Sequence, residues 1–226
     1  MDTKILNLYD CILRQRDLDC LQPQRWLNDN IIEFYLQYLS SYIPPDRKDI
    51  LYIPPSTTFL MLQGGLEVAK SVSESLDLQE YSTVFFALND NANPESLYGG
   101  THWSSLVVDV QSSHCIHYDS SIGSNTHVAQ RFARVLSGIF AKDVTLDHAR
   151  DCPQQDNGYD CGLFCIYTAS SIFPYHQAVS RKDTERIFLP HHVPLVATTM
   201  ESQSQTVATM RQDLIQLIQN LAESES

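Results

Sequence analysis

The sequence predicts an α+β fold with a central mixed or antiparallel sheet and helices beside it. Apolar runs at 82–89, 102–110 and 114–119 are typical of strands. Residues 126–140 carry apolar side chains at helical spacing, and the unbroken apolar run at 163–167 is typical of a buried helix. With 226 residues, 43% of them hydrophobic, the chain can bury the core of one large domain or of a domain with a small lobe.

The other elements follow in chain order from periodicity and from turn residues. Before the sheet, we predict a strand pair or hairpin at 5–21, an apolar helix at 30–40 and a helix at 65–75. Paired prolines at 44–45 and 54–55 predict a loop between the last two.

The C-terminal part contains a short predicted strand at 144–149 and a final amphipathic helix at 206–222. Residues 176–204 are polar and interrupted by prolines, so we expect a flexible segment there. We therefore predict a catalytic core over 1–175, followed by 176–226, a polar loop and a C-terminal helix that packs on the core.

The sequence QQDNGYDCG at 154–162 is the most informative segment of the chain. It leads into the apolar helix and places the Cys161 thiol at the first turn, where backbone dipoles favour thiolate over thiol. Asp160 is a natural helix cap, Gly162 leaves room for an approaching carbonyl, and Gln155 is placed to donate to an oxyanion. The alternative is a buried structural cysteine behind a polar turn.

A base and its orienting acid precede this cysteine in the chain. His102 opens one predicted strand, and Asp119 ends the next. Antiparallel neighbours joined by a short turn near 111–113 bring these far ends together. A thiolate nucleophile needs an imidazole as base and later as acid, and the imidazole needs a carboxylate to fix its tautomer.

At these residues the chain resembles the Ulp/sentrin-specific protease family, and within it the deneddylase branch. These are papain-like cysteine proteases that cleave after the C-terminal Gly-Gly of ubiquitin-like proteins. The matching motifs are WLND at 26–29, FFALNDN at 85–91, GGTHWS at 99–104, HYDS at 117–120 and the segment 154–162.

The resemblance implies a papain-like fold with a nucleophile-bearing helix and a helical lobe. It implies a triad of His102, Asp119 and Cys161, with Gln155 as the oxyanion donor. It also implies that Trp26 and Trp103 cover a narrow tunnel that admits only glycine. A flat aromatic ring pressed on the backbone excludes side chains.

Two further substrate contacts are predicted. Asp29 is a candidate for binding a basic residue of the modifier, with a helix cap as the equally weighted alternative. Asn91 lies in the turn-rich loop 89–94, which is expected to be a mobile flap over the substrate tail, or else an ordinary surface loop.

The net charge of −12, from 15 basic and 27 acidic residues, argues against nucleic acid as a partner and suits a basic protein. No stretch approaches the roughly 20 apolar residues that span a bilayer, and the N-terminus lacks the pattern of a signal peptide. We expect no membrane partner, a monomer, and cytoplasmic or nuclear localisation.

The six cysteines predict neither a disulfide framework nor a metal site, because no C-x-x-C pair occurs. Cys165 is interpreted as core filling inside the helix of Cys161. We expect no metal and no cofactor.

The predicted function is a thiol protease that removes the modifier of neddylation from conjugates such as cullins, matures its precursor, or does both. Three alternatives stay open on the sequence: a SUMO protease of the same family, an acetyltransferase with the same catalytic residues, and an inactive module that binds a ubiquitin-like protein.

Overall fold

The structure, a computed structural model, describes residues 2–8, 11–93, 95, 99–173 and 200–224. It divides into two compact units. The terminal unit comprises Met1–Pro44 and Gln155–Ser226, and the central unit comprises Pro45–Gln154. The predicted boundary at residue 175 stays a prediction.

Helices and strands alternate irregularly along the chain. In order, the elements are β1 (Lys4–Leu8), β2 (Cys11–Arg14), α1 (Gln15–Asp19), α2 (Asp29–Ser40), β3 (Ile50–Ile53), α3 (Pro55–Gln63), α4 (Leu66–Ser75), a 3₁₀ turn (Leu78–Glu80), β4 (Thr83–Asn89), β5 (Trp103–Asp109), β6 (His114–Tyr118), α5 (Thr126–Phe140), β7 (Thr145–His148), α6 (Cys161–Ser171) and α7 (Met200–Ser224).

The terminal unit combines the antiparallel pair β1–β2 with α1, α2, α6 and α7. Helix α2 is capped by Asn28, whose side chain accepts a hydrogen bond from the backbone N–H of Ile31 at 3.1 Å. Helix α6 is buried on all sides and packs against α2, where the Tyr35 hydroxyl lies 3.0 Å from Ser170 Oγ. Two buried polar groups thereby satisfy each other.

The central unit is built on a five-stranded mixed sheet in the order β3-β4-β5-β6-β7. The two outer pairs are parallel, and the two inner pairs are antiparallel. Helices α3 and α5 bury their apolar faces on it, with Phe86 and Phe132 in edge-to-face contact at 4.8 Å between ring centroids, and α4 packs against α3 and α5. The predicted α+β class with a mixed sheet is confirmed.

The register of this sheet explains the position of the predicted base and acid. Ser105 pairs with Tyr118 and Asp109 with His114, so the short turn after Asp109 joins β5 and β6. The first residues of β5 and the last residues of β6 therefore lie at the same end of the sheet.

The structure differs from the predicted elements in the N-terminal part. The prolines at 54 and 55 were expected to mark a loop, but Pro54 is the N-cap of α3 and Pro55 its first residue. A helix tolerates proline there because its first N–H groups have no intrahelical partner. Strand β3 was missed, and 15–19 form helix α1 instead of a strand.

The final helix is longer than predicted, since it begins at Met200. The predicted flexible segment lies largely at 176–199, outside the described residues. Across the described part of the chain, no helix is both long and apolar enough to cross a bilayer.

Candidate active site

The structure brings His102 and Asp119 together in the central unit. His102 immediately precedes β5, Asp119 immediately follows β6, and His102 Nε2 lies 2.7 Å from Asp119 Oδ1. Both residues are more than nine-tenths buried. The imidazole is therefore held by a short hydrogen bond in surroundings that exclude most water.

Asp119 accepts two more hydrogen bonds, from the backbone N–H groups of Ser121 at 3.1 Å and Asn125 at 3.0 Å. Burial alone would raise the pKa of this carboxyl, but the bonds from His102, Asn125 and Ser121 outweigh it and the pKa lies below its ordinary value. The ionised carboxylate can only accept, so the ring hydrogen of His102 lies on Nε2. A proton taken up in catalysis must then arrive at Nδ1.

Asn125, which is fully buried, ties the backbone of His102 to the loop that carries Asp119. Its Nδ2 lies 3.3 Å from the carbonyl oxygen of His102, 3.0 Å from Ser104 Oγ and 3.4 Å from the carbonyl oxygen of Leu88. Its side chain makes no cap hydrogen bond to α5. The sequence analysis missed this residue, because an asparagine before a helix is usually only a cap.

Asp90 fixes the backbone on the other side of His102. Its Oδ1 accepts from the N–H of His102 at 3.0 Å and of Thr101 at 2.5 Å, and its Oδ2 accepts from the Thr101 hydroxyl at 2.7 Å. Burial opposes ionisation, but these hydrogen bonds outweigh it and lower the pKa of Asp90. Asp90 lies in the loop predicted to be turn-rich, and nothing in the local sequence indicates its role at His102.

A buried histidine lies behind this pair. His117 Nε2 is 2.9 Å from Ser104 Oγ, and its Nδ1 is 3.1 Å from Nδ1 of the exposed His148. Burial lowers the pKa of His117 to about 4; the Asp119 charge opposes this shift, while His148 and His102 add to it. His117 is therefore neutral at pH 7 and cannot repel a protonated His102.

The structure places Cys161 in the terminal unit, as the first residue of α6, with 3% of its surface exposed. Asp160 is the N-cap residue of α6, as predicted, but its side chain makes no cap hydrogen bond. Its carboxylate binds Asn157 Nδ2 at 2.9 Å and the guanidinium of Arg211. Its backbone carbonyl accepts the helix N–H of Leu163 and Phe164 instead.

Gly162 lies in close contact with the segment that carries Trp26 and Leu27. A Cβ at this position would lie 2.8 Å from Cβ of Leu27. The segment 26–27 therefore packs against the start of α6 so closely that a side chain on residue 162 would force the two apart. The glycine serves this close packing, and its role in access to the sulfur stays a prediction.

Gln155 and Gln154 have distinct surroundings. Gln155 Nε2 donates to the carbonyl oxygen of Asn157 at 2.6 Å, within the loop that leads to Cys161. Gln154 lies in the central unit, where its Nε2 donates to the carbonyl oxygen of Asp119 at 2.9 Å and its Oε1 accepts from the N–H of Ile122 at 3.1 Å. The oxyanion role of Gln155 stays a prediction.

Two predicted substrate contacts lie in the terminal unit. Trp26 is 51% exposed, and its Nε1–H donates to the carbonyl oxygen of Gly158 at 2.8 Å, so its indole lies at the surface and not in the core. Asp29 is the exposed first residue of α2, and Asn28 supplies the side-chain cap. Neither observation tests contact with a substrate.

The other two predicted substrate contacts, Trp103 and Asn91, lie in the central unit. Trp103 is half-buried and opens β5, opposite Asn89. Asn91 is held through its backbone, because its N–H donates to Asn89 Oδ1 at 2.9 Å and its carbonyl accepts from Gln63 Nε2 at 3.0 Å. The mobility of the loop stays a prediction.

Nothing in the described ranges groups three His, Cys, Asp or Glu side chains as metal ligands would be grouped. None of the six cysteines is in a disulfide, and Cys165 is buried in α6, as expected of core filling.

Residues 25–190 match the family described as "Ulp1 protease family, C-terminal catalytic domain". This match covers well over half of the chain. The chain belongs to the Ulp1 protease family. It is a cysteine protease by family, which confirms the enzyme class predicted from the sequence.

Curated relatives confirm the predicted likeness to the deneddylase branch. NEDD8-specific protease 1 of Arabidopsis thaliana is 33% identical over 222 residues, 97% of this chain and 94% of that protein. Sentrin-specific protease 8 of Homo sapiens is 34% identical over 191 residues, 83% of this chain and 88% of that protein.

Solved structures confirm the Ulp fold. The C-terminal Ulp1 protease domain in complex with Smt3, the yeast ortholog of SUMO, has a TM-score of 0.69 at 21% identity, over 98% of this chain and 89% of that one. A structure described as a de-sumoylating protease has a TM-score of 0.64 at 15% identity, over 95% and 88%. At these identities the likeness is one of fold.

Proposed function

We propose that this protein is a deneddylase, a cysteine protease that cleaves after the C-terminal Gly-Gly of a NEDD8-type modifier. The observation that carries the proposal is the buried His102–Asp119 pair with its ionised carboxylate, in a chain whose family is the Ulp1 proteases. NEDD8-specific protease 1 of Arabidopsis thaliana, which matches this chain over 94% of its length, supports the choice of modifier.

In the proposed reaction, Cys161 Sγ gives its proton to His102 Nδ1 and attacks the carbonyl carbon of the modifier's last glycine. Asp119 keeps the ring hydrogen on Nε2 and stabilises the imidazolium. The oxyanion is stabilised by Gln155 and by the backbone N–H of Cys161.

The tetrahedral intermediate then collapses, the bond to the leaving nitrogen breaks, and His102 returns its proton to that nitrogen. A thioester joins the modifier to Cys161. Water, deprotonated by His102, hydrolyses the thioester and restores the thiol. The chemistry assigned to these residues is thus acyl transfer to sulfur followed by hydrolysis.

We further propose that Trp26 and Trp103 hold the Gly-Gly tail, while Asp29 and Asn91 contact the modifier. The exposed indole of Trp26 and the exposed carboxylate of Asp29 support these roles. The net charge of −12 favours encounter with a basic partner surface. Cullin conjugates are the proposed substrates, in the cytoplasm or nucleus, where a reducing environment keeps a nucleophilic thiol active.

The test is a panel of NEDD8, SUMO and ubiquitin, each carrying the same C-terminal fluorophore, with Cys161→Ala as the inactive control. We expect kcat/KM for NEDD8 to exceed the others by about 100-fold or more, a difference of about 3 kcal/mol in transition-state binding. Higher kcat/KM for SUMO would make the protein a SUMO protease. No cleavage of any modifier would refute the protease proposal.

A second assay separates the two roles of a deneddylase. Equal concentrations of a NEDD8 precursor and of a NEDD8–cullin conjugate are offered to the enzyme, and both products are followed on one gel. We expect both to be cleaved, because the same Gly-Gly carbonyl is attacked in each. Cleavage of the precursor alone would restrict the function to maturation.

A further inference from the structure

Arg211, on helix α7, is a buried cation with an extensive set of acceptors. It is 8% exposed, and all three nitrogens of its guanidinium are hydrogen-bonded. Nε and Nη2 donate to Asp160 Oδ1 at 3.2 and 2.5 Å, Nη1 to the carbonyl oxygens of Cys20 and Gln22 at 3.0 and 3.2 Å, and Nη2 to those of Arg25 and Tyr159 at 2.7 and 3.4 Å.

These acceptors belong to two separate segments of the terminal unit. One segment, 20–25, leads directly into Trp26, and the other, 159–160, leads directly into Cys161. A planar guanidinium can bind both at once because its five N–H groups point in fixed, diverging directions. A lysine at the same position offers one point charge and could keep only part of this set.

The same two segments are also in direct contact. The Trp26 Nε1–H donates to the carbonyl oxygen of Gly158 at 2.8 Å, and Gly162 allows Leu27 to pack against the first turn of α6. The hydrogen bond fixes the orientation of the Trp26 indole, and the close packing of Leu27 fixes the position of the backbone beside it. Arg211 fastens the two segments together on the side of α7.

We propose that Arg211 is a positioning residue that fixes the Trp26 indole in register with the segment of Cys161, and so determines how tightly the Gly-Gly tail is held at the nucleophile. This inference rests on the proposed function, from which Trp26 and Cys161 take their roles. It assigns a part in substrate binding to α7, which lies outside the residues 25–190 that match the family.

The first test reads the position of the indole without any substrate. The protein has two tryptophans, so a ¹⁵N–¹H spectrum contains two indole N–H resonances, which Trp26→Phe assigns. In Arg211→Lys and Arg211→Met we expect the Trp26 resonance to move towards the position of a solvent-exposed indole and to exchange faster with water. The Trp103 resonance is expected to stay in place.

The second test separates positioning from folding. We expect KM for the NEDD8–fluorophore substrate to rise by about 10-fold or more in Arg211→Lys, with a smaller change in kcat, because lost tail binding affects the ground and transition states alike. Alkylation of Cys161 by iodoacetamide should keep its rate within about twofold, since the thiol stays at the helix start. Arg47→Met is the control, because Arg47 pairs with Asp49 in the central unit at 2.8 Å.

A double-mutant cycle with Trp26→Phe identifies the route of the effect. If Arg211 acts through the indole, Arg211→Lys raises KM much less in a Trp26→Phe background than in the wild type. If the two substitutions raise KM by independent factors that multiply in the double mutant, the proposal is overturned. An unchanged Trp26 resonance in folded Arg211→Lys would overturn it as well. If the wild type cleaves no modifier, the proposed function fails, but the indole resonance still decides whether Arg211 positions Trp26.

Discussion

Replacing Asp119 by asparagine should lower kcat by about 10²–10⁴ while leaving KM nearly unchanged. The carboxylate accepts three N–H groups, with His102 and Ser121 on Oδ1 and Asn125 on Oδ2. An amide offers one oxygen and one NH₂ group, so in either orientation a donor faces a donor.

The size of the loss in kcat follows from the two roles of the carboxylate, which stabilises the imidazolium and keeps the ring hydrogen on Nε2. Its charge-assisted hydrogen bond to the imidazolium contributes about 1.5–3 kcal/mol, which is about 10- to 160-fold in rate. If the NH₂ group faces His102, the ring hydrogen moves to Nδ1 and the base can no longer accept a proton there, which adds the rest of the loss. Binding through Trp26 does not involve Asp119, so KM should stay near its wild-type value.

The assay is steady-state hydrolysis of the NEDD8–fluorophore substrate, with thermal unfolding measured on the same samples. Asp109→Asn is the matched control: this aspartate ends β5, accepts a backbone hydrogen bond from Ser112 at 2.8 Å and also has a lowered pKa. It should be fully active. A folded Asp119→Asn enzyme with kcat within about threefold of the wild type would refute the reasoning.

Three more predictions follow from the same contacts. Gln155→Ala should lower kcat by about 10²–10³ with little change in KM, measured on the same substrate, and an unchanged kcat would exclude it as oxyanion donor. Asn125→Ala removes the donor to the carbonyl oxygen of His102 and to Ser104 Oγ. It should therefore lower the free energy of unfolding by about 1–3 kcal/mol and reduce kcat. A variant as stable as the wild type would contradict this. The pKa of His117 is 6.5 in the unfolded chain and about 4 in the folded protein, so between these values the unfolded chain binds more protons. The free energy of unfolding should therefore rise with pH across this range, by roughly 3 kcal/mol in total. His117→Gln should remove this rise in urea titrations.

Strands β4, β5 and β6 could be predicted from the sequence because each is an apolar run and the turn between β5 and β6 is short, whereas β3 was missed. This register alone placed His102 beside Asp119. The prolines at 54 and 55 misled the prediction, since proline favours both a loop and a helix start, and the local sequence does not distinguish them.

The functional residues that the sequence analysis missed act over long sequence separations. Asn125 reaches back to residue 102 and Arg211 to residues 20–25, contacts that no local pattern encodes. The side-chain partner of Asp160 was missed for the same reason, because the preference of aspartate for the N-cap position is local, whereas its ion pair with Arg211 joins distant residues. The periodic apolar residues predicted that α7 is an amphipathic helix, but this pattern does not indicate that Arg211 is buried.

The identity of the nucleophile is tested most directly by a covalent probe. NEDD8 with a C-terminal vinyl sulfone is incubated with the wild type, and the modified residue is located by mass spectrometry of the tryptic peptides. We expect one adduct, on Cys161, and none in Cys161→Ala. An adduct on another cysteine, or hydrolysis of the fluorophore substrate by Cys161→Ala, would contradict the account.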